Sequence, residues 1–173
     1  QARAPTGDAR CDDDRQPRVR LRGRLLLVIP APLPPDRSLP MSTTTAATVR
    51  PARPDDLPRV EALLTASALP LDGVSEAFAH FVVAEHDGAL VGVAGLEVCC
   101  DNALLRSVAV AGDWRSRGLG RQLVTTAIAQ AESRGIRALY LLTTTAEHYF
   151  PSFGFTPIAR DAVPADVRAT REF

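Results

Sequence analysis

The residues best suited to chemistry stand in one run, Leu104-Leu-Arg-Ser-Val-Ala-Val-Ala-Gly-Asp-Trp-Arg-Ser-Arg-Gly-Leu-Gly-Arg. An apolar strand pattern delivers the chain to the loop Arg115-Ser116-Arg117-Gly118-Leu119-Gly120, and the loop opens into a helical pattern. The first amides of a helix have no intrahelical acceptor and point outward at the positive end of the helix dipole. Gly118 and Gly120 carry no side chain to block an approaching ligand. Such a terminus suits a pyrophosphate, and Arg115, Arg117 and Arg121 can add charge-assisted hydrogen bonds. The spacing alone also fits an ordinary helix start with solvated arginines. Neither G-x-G-x-x-G nor G-x-x-x-x-G-K-[ST] occurs in the loop.

The elements that must position this loop follow from the pattern on either side. Thr48-Val-Arg-Pro-Ala reads as a short strand. Pro54-Asp55-Asp56-Leu-Pro starts a helix carrying Leu57, Val60, Leu63 and Leu64 at helical spacing. Residues 68–79, interrupted by Pro70 and Gly73, hold at most a short second helix. Phe81–Glu85, Leu90–Cys99 and Ala103–Val110 read as an antiparallel meander, with turns at His86-Asp87-Gly88 and Asp101-Asn102. Leu119, Leu123, Val124, Ala127, Ile128 and Ala131 form the buried stripe of the next helix, which Gly135 closes. Ala138–Thr144 is a buried strand, so strand, helix and strand make a right-handed crossover. A short helix over Ala146–Ser152 and a short strand over Phe155–Ile158 complete an α+β domain, a mixed central sheet flanked by helices.

Residues 1–40 hold seven of the fourteen prolines and eight of the twenty arginines. This composition predicts a disordered Pro/Arg-rich tail over 1–47, with the folded domain spanning 48–173. Met41 is the expected start of translation, the residues before it belonging to an over-extended reading frame. The alternative is a basic targeting tail.

Net charge is zero, which argues against nucleic acid as the main partner. No run is long and apolar enough for a membrane helix. The basic residues are all arginine, so lysine nucleophile chemistry is excluded. Three cysteines, Cys11, Cys99 and Cys100, make no disulfide framework and no zinc spacing. They suggest a reducing, cytoplasmic setting and no metal. Cys99 and Cys100, neighbours on a strand, face opposite sides and are poorly placed to share an ion. His80, His86 and His148 lack ligand spacing, and Trp114 reads as a packing anchor for the loop.

Arg115-x-x-Gly118-x-Gly120 after a strand resembles the acetyl-CoA signature of GNAT N-acetyltransferases, R/Q-x-x-G-x-G/A. Ala146-Glu-His-Tyr-Phe-Pro-Ser-Phe-Gly-Phe is similar to the family's late A-x-x-F-Y-x-x-x-G-F segment. The resemblance covers about residues 48–160. Leu141-Leu-Thr-Thr-Thr-Ala and the end of the sequence, Ala-Val-Pro-Ala-Asp-Val-Arg-Ala-Thr-Arg-Glu-Phe, look like GNATs of arsenic-resistance operons and, less closely, the acetyltransferase part of N-acetylglutamate synthases. The resemblance implies a GNAT fold, acetyl-CoA as co-substrate, and a small-molecule amine acceptor, a glutamate-like amino acid or analogue. It also allows a homodimer and a part in arsenic or antimetabolite resistance. Family sheets end in a two-strand hairpin, whereas one short strand is legible after Gly154. The last strand is therefore expected to be missing.

The resemblance further implies that acetyl-CoA lies in a gap between Ala103–Val110 and Ala138–Thr144. Its pantetheine pairs with Ser107, Val108 and Val110, and the Val108 amide polarises the thioester carbonyl. A neutral acceptor amine needs a base. Glu97, an acid inside an otherwise apolar strand, is the candidate; a solvent-facing position or an ion pair with Arg106 are its other readings. The family's tyrosine acid corresponds to Phe150 here. Tyr149 is a weak substitute, with Tyr140, water or unassisted departure of the thiolate as alternatives. An acidic acceptor calls for an arginine: Arg106 first, then Arg160 and Arg171. A coenzyme A-binding module without catalysis is the second reading. A nucleotide-binding domain is the third, for which no ribose or magnesium feature is present.

Overall fold

A computed structural model describes residues 25–30, 47–144, 146–170 and 172. Met41 and Arg171 lie outside the described residues. Seven strands form one sheet: β1 (Leu25–Pro30), β2 (Thr48–Pro51), β3 (Phe81–His86), β4 (Ala89–Cys99), β5 (Asn102–Val110), β6 (Ala138–Thr143) and β7 (Thr156–Pro157). Their order is β2-β3-β4-β5-β6-β1-β7. The predicted meander is β3-β4-β5, antiparallel throughout. Two turns reverse it, Asp87-Gly88 and Cys100-Asp101, where Asp87 and Cys100 take positive φ. β5 and β6 then run parallel, joined by the helix α3 (Leu119–Ser133).

α3 lays its apolar stripe on one face of the sheet. Leu119, Leu123, Val124, Ala127 and Ala131 meet Ala84, Ala94, Leu96, Ala103, Leu105, Leu139 and Leu141 in the main core. Its end is a Schellman motif: Gly135 N–H donates to the Glu132 carbonyl at 2.9 Å and Ile136 N–H to the Ala131 carbonyl at 3.1 Å. The opposite face carries α1 (Leu57–Ala66) and α2 (Val74–Ala77) over Phe81, Val83, Val93 and Ala109. Further along that face, α4 (Ala165–Arg168) places Val167 against Leu104 and Tyr140. Asp56, nearly fully buried at the foot of α1, holds this corner through ion pairs to Arg50 at 2.7 Å and Arg59 at 2.5 Å.

The structure corrects the sequence reading in four places. Leu25–Pro30, assigned to a disordered tail, is a strand antiparallel to β6 over six residue pairs, and to β7 through Leu27↔Pro157 and Val28↔Thr156. A short apolar run is the local pattern of a strand. The flanking prolines and arginines hid it. Consequently the position beside β6 is filled from the N-terminal side of the sequence; no strand follows β7 among the described residues.

Ala146–Ser152 forms turns and a 3-10 helix over Phe150–Phe153 only, because Pro151 withholds an amide. The strand predicted over Phe155–Ile158 shrinks to Thr156–Pro157. Finally, Cys100 is disulfide-bonded while Cys99 is a free thiol. The cysteines are therefore not all reduced, contrary to expectation.

Candidate active site

The site forms where β5 leaves β6. Their parallel pairing runs from Asn102↔Ala138 to Leu105↔Leu141, yet β5 continues to Val110. The departure coincides with a bulge. Val93 pairs with Ala109 and Gly95 with Arg106, so Ser107 and Val108 together oppose Ala94. Ser107 adopts φ 54°, a left-handed conformation that a non-glycine residue takes only under constraint. Bulges bend a strand and re-aim its groups. Here the bulge frees the backbone of residues 106–110 from β6 and opens a wedge between the two strands.

At the open end of the wedge stands the N-terminus of α3. Gly118 is the N-cap at φ 81°, and no side chain caps the helix. An added Cβ at Gly118 would meet nothing within 4 Å, so the approach is clear of neighbouring atoms. The first intrahelical bond is Gln122 N–H to the Gly118 carbonyl at 3.1 Å. The amides of residues 119–121 therefore precede the helical ladder and face outward.

Three arginines surround these amides, each anchored at one end. Arg115 Nε donates to the Val110 carbonyl at 3.1 Å. Arg117 stacks over Trp114, its Cζ 5.4 Å from the ring centroid. Arg121 donates to Ser152 Oγ at 3.1 Å and lies 4.8 Å from the Phe153 centroid. Packing of the guanidinium planes on rings leaves N–H groups available to an anion.

Gly120 carries a separate constraint: a Cβ there would fall 3.1 Å from the Tyr149 hydroxyl. Tyr149 thus lies over the first turn of α3, exposed, and edge-on to Phe150 and Phe153. Partial burial raises its pKa, with Arg121 opposing, so the phenol stays a donor at neutral pH. Phe150 is buried in the main core, and Tyr140 sits in the α4 cluster on the other face, its pKa raised by burial.

Arg106 is the unusual residue. Its side chain is completely buried, on the face opposite α3, as alternation from Leu104 requires. Nη1 donates to Glu97 Oε2 at 2.6 Å, and Nη2 donates to the Asp72 carbonyl. Nε faces Glu172 Oε2 at 3.3 Å. A buried guanidinium persists only when charges and acceptors surround it.

Glu97 also lines a cavity of about 180 Å³ with Gly73, Glu76, Ala77, His80 and Val98. That volume lies well under the ~300 Å³ at which drug-sized sites begin. His80 keeps Nδ1 buried without a hydrogen-bond partner. Burial, with a smaller contribution from Arg134, lowers its pKa, so the ring is neutral at pH 7.

Of the sequence candidates, the fold brings Ser107, Val108, Val110, Arg115, Arg117, Gly118, Gly120, Arg121 and Tyr149 to the wedge and the α3 N-terminus. Glu97 and Arg106 pair with each other behind it. Arg160 sits apart in the exposed 3-10 turn Arg160–Ala162. Sequence reading missed Asp72, Glu172 and His80. The first two meet Arg106 across separations of 34 and 66 residues, which no local pattern reveals. His80 lacks ligand spacing, and spacing does not reveal a cavity wall. Among the described residues, no group of three or more His, Cys, Asp or Glu is placed to hold a metal ion.

Residues 77–157 match the family profile described as acetyltransferase (GNAT) domain. Amino-acid acetyltransferase of Aeromonas salmonicida (strain A449) is 33% identical over 88 residues, which is 50% of this chain and 20% of that protein. The crystal structure of N-acetylglutamate synthase from Neisseria gonorrhoeae, complexed with coenzyme A and L-arginine, superposes with a TM-score of 0.64 at 25% identity. It covers 76% of this chain and 32% of that one. The crystal structure of Rv2747 from Mycobacterium tuberculosis in complex with CoA and NLQ gives a TM-score of 0.61 at 31% identity, covering 69% of this chain and 78% of that one. The chain thus spans about a fifth of the amino-acid acetyltransferase and about a third of the synthase. The wedge, the uncapped helix and these likenesses agree: the fold is the GNAT fold, residues 77–157 form a GNAT acetyltransferase domain, and the acyl donor of such domains is acetyl-CoA.

Proposed function

We propose that this chain is an N-acetyltransferase that moves the acetyl group of acetyl-CoA to the α-amine of a small amino acid with an acidic side chain, glutamate or a close analogue. The observation that carries this reading is the pairing of two features around one bulge. An uncapped helix N-terminus follows the end of β5, and a fully buried arginine lies immediately before the bulge. Relatives named amino-acid acetyltransferase and N-acetylglutamate synthase support the acceptor class.

In this reading the amides of residues 119–121, with Arg115, Arg117 and Arg121, hold the diphosphate of the donor. The bound donor supplies an activated thioester. Ser107, Val108 and Val110 offer it backbone partners in the wedge, and the Val108 amide stabilises the oxyanion that forms on the carbonyl. The Arg106 guanidinium holds a carboxylate of the acceptor. Free α-amines are mostly protonated at pH 7. Glu97, lining the cavity, takes the ammonium proton, directly or through water. The Tyr149 hydroxyl, over Gly120, lies at the diphosphate end of the wedge in this reading, a place that suits a hydrogen-bond donor to a phosphate oxygen better than an acid for the thiolate. A role in arsenic or antimetabolite resistance would follow if the preferred acceptor were a toxic glutamate analogue.

The test is thiol release from acetyl-CoA across a panel of amino acids. Turnover should be highest with acidic side chains and fall steeply with neutral ones. Binding of acetyl-CoA without turnover of any amine would favour a non-catalytic coenzyme A module instead, a reading that the burial of Phe150 at the family's tyrosine position supports.

A further inference from the structure

Resting on that reading of Arg106 as a carboxylate site, we infer that the Glu172 side chain is an internal occupant of the acceptor subsite, displaced when an acidic acceptor binds. The three partners of Arg106 are not equivalent. Nη1 makes a 2.6 Å hydrogen bond to Glu97, a neighbour on the adjoining strand, two residues beyond Gly95, the register partner of Arg106. Nη2 is bonded to the Asp72 backbone carbonyl just before α2. Both partners belong to the framework of the sheet and its covering helices. Nε is different: Glu172 Oε2 lies 3.3 Å away, yet no aligned hydrogen bond forms, and Nε is a buried donor without one.

The contact is therefore a charge pair that has not closed into hydrogen-bond geometry. A carboxylate arriving with better alignment gains a charge-assisted hydrogen bond from Arg106 Nε, a donor left open in this arrangement. Glu172 is also the only one of the three partners held by a segment outside the sheet and the α1–α2 cover; it lies beyond α4, in a turn. Glu97 stays paired with Arg106 in either state, and exchanging one carboxylate for another at Nε leaves the charge of the buried cluster unchanged, so exchange is the route the electrostatics favour. The cavity bounded by Glu76, His80 and Glu97 adjoins the same cluster through Glu97 and offers the exchanged ligand room for its amine. An acid parked on the subsite lowers apparent affinity by the fraction of time it occupies Arg106. It also discriminates: ligands without a carboxylate gain nothing from displacing it.

The experiment is calorimetric titration of L-glutamate into the full chain with coenzyme A present, so that no turnover occurs, for wild type, Glu172→Gln, Glu172→Ala and Arg106→Gln. If Glu172 occupies the site about four-fifths of the time, its removal should tighten glutamate binding about 5-fold, leave coenzyme A binding unchanged, and leave binding of a neutral amino acid such as alanine unchanged. Arg106→Gln should abolish the glutamate response. Equal or weaker glutamate binding in both Glu172 variants overturns the inference. So does loss of the folded state in both, which would make Glu172 a structural anchor. If glutamate binding tightens as expected but no variant acetylates any amine, the inference stands and the acetyltransferase reading fails.

Discussion

At the residue scale, Arg106 does what its neighbours on β5 cannot: it carries a full charge into the sheet's covered face. Replacing it by alanine should raise the acceptor KM by about 30-fold or more, the effect of losing a buried charged hydrogen bond worth ~2–5 kcal/mol, while changing the acetyl-CoA KM little. Steady-state kinetics with each substrate varied in turn check this, and equal effects on both constants would remove Arg106 from the acceptor site. Cys99 makes the opposite kind of prediction. Burial first, then the charges of Glu97 and Asp166, push its thiol up to about 12. Since the thiolate is the reactive form, native protein at pH 8 should resist iodoacetamide at Cys99, and unfolded protein should label readily. An arginine inside an apolar strand is legible in the sequence, whereas the exit of Cys100 from the strand into a turn is not. What Arg106 touches was not legible, because Asp72 and Glu172 reach it only through tertiary packing.

At the element scale, the first turn of α3 is the feature most exposed to test. Gly118→Asp would place a carboxylate at the N-cap, where it satisfies the helix and repels a diphosphate. At φ 81° a non-glycine residue is also strained, by about 1 kcal/mol. The expected outcome is a folded protein with a small loss of Tm and a large rise in acetyl-CoA KM. An unchanged KM would place the diphosphate elsewhere. α3, its glycine cap and the β3-β4-β5 meander could be read from periodicity and turn residues because their signals are local. β1 could not: its strand character is supplied by β6 and β7, partners more than a hundred residues away. Nor could the bulge at Ser107, since register is set by the whole pleat rather than by any one residue.

At the scale of the whole molecule, stability is tied to two places outside the wedge. Deleting residues 1–40 removes β1 and with it the six-pair ladder on β6. The shortened chain should lose cooperative unfolding in a thermal melt monitored by circular dichroism. A sharp, unshifted transition would show that β1 is dispensable.

The second place is Asp56. Hydrogen bonds from Arg50 above all, then from the Arg53 amide and Arg59, hold its carboxyl well below the ordinary carboxylate range despite burial. A depressed folded pKa stabilises the native state fully above the unfolded value of about 4 and loses that contribution as pH falls beneath it. Asp56→Asn should therefore cost ~2–3 kcal/mol at pH 7, and the gap from wild type should narrow in urea melts on going from pH 5 to pH 3. A gap that stays constant over that range would contradict the assignment.

The central question is whether the α3 terminus grips a diphosphate. The most direct measurement compares calorimetric binding of coenzyme A, at low and high salt, with that of pantetheine, which keeps the thiol arm and lacks the phosphates and the adenosine, and with that of adenosine alone. Several charge-assisted hydrogen bonds, each worth ~1.5–3 kcal/mol, should make coenzyme A bind at least about 100-fold more tightly than either, with an advantage that shrinks in salt. Equal affinity for coenzyme A and either fragment, or no binding of coenzyme A, would contradict it.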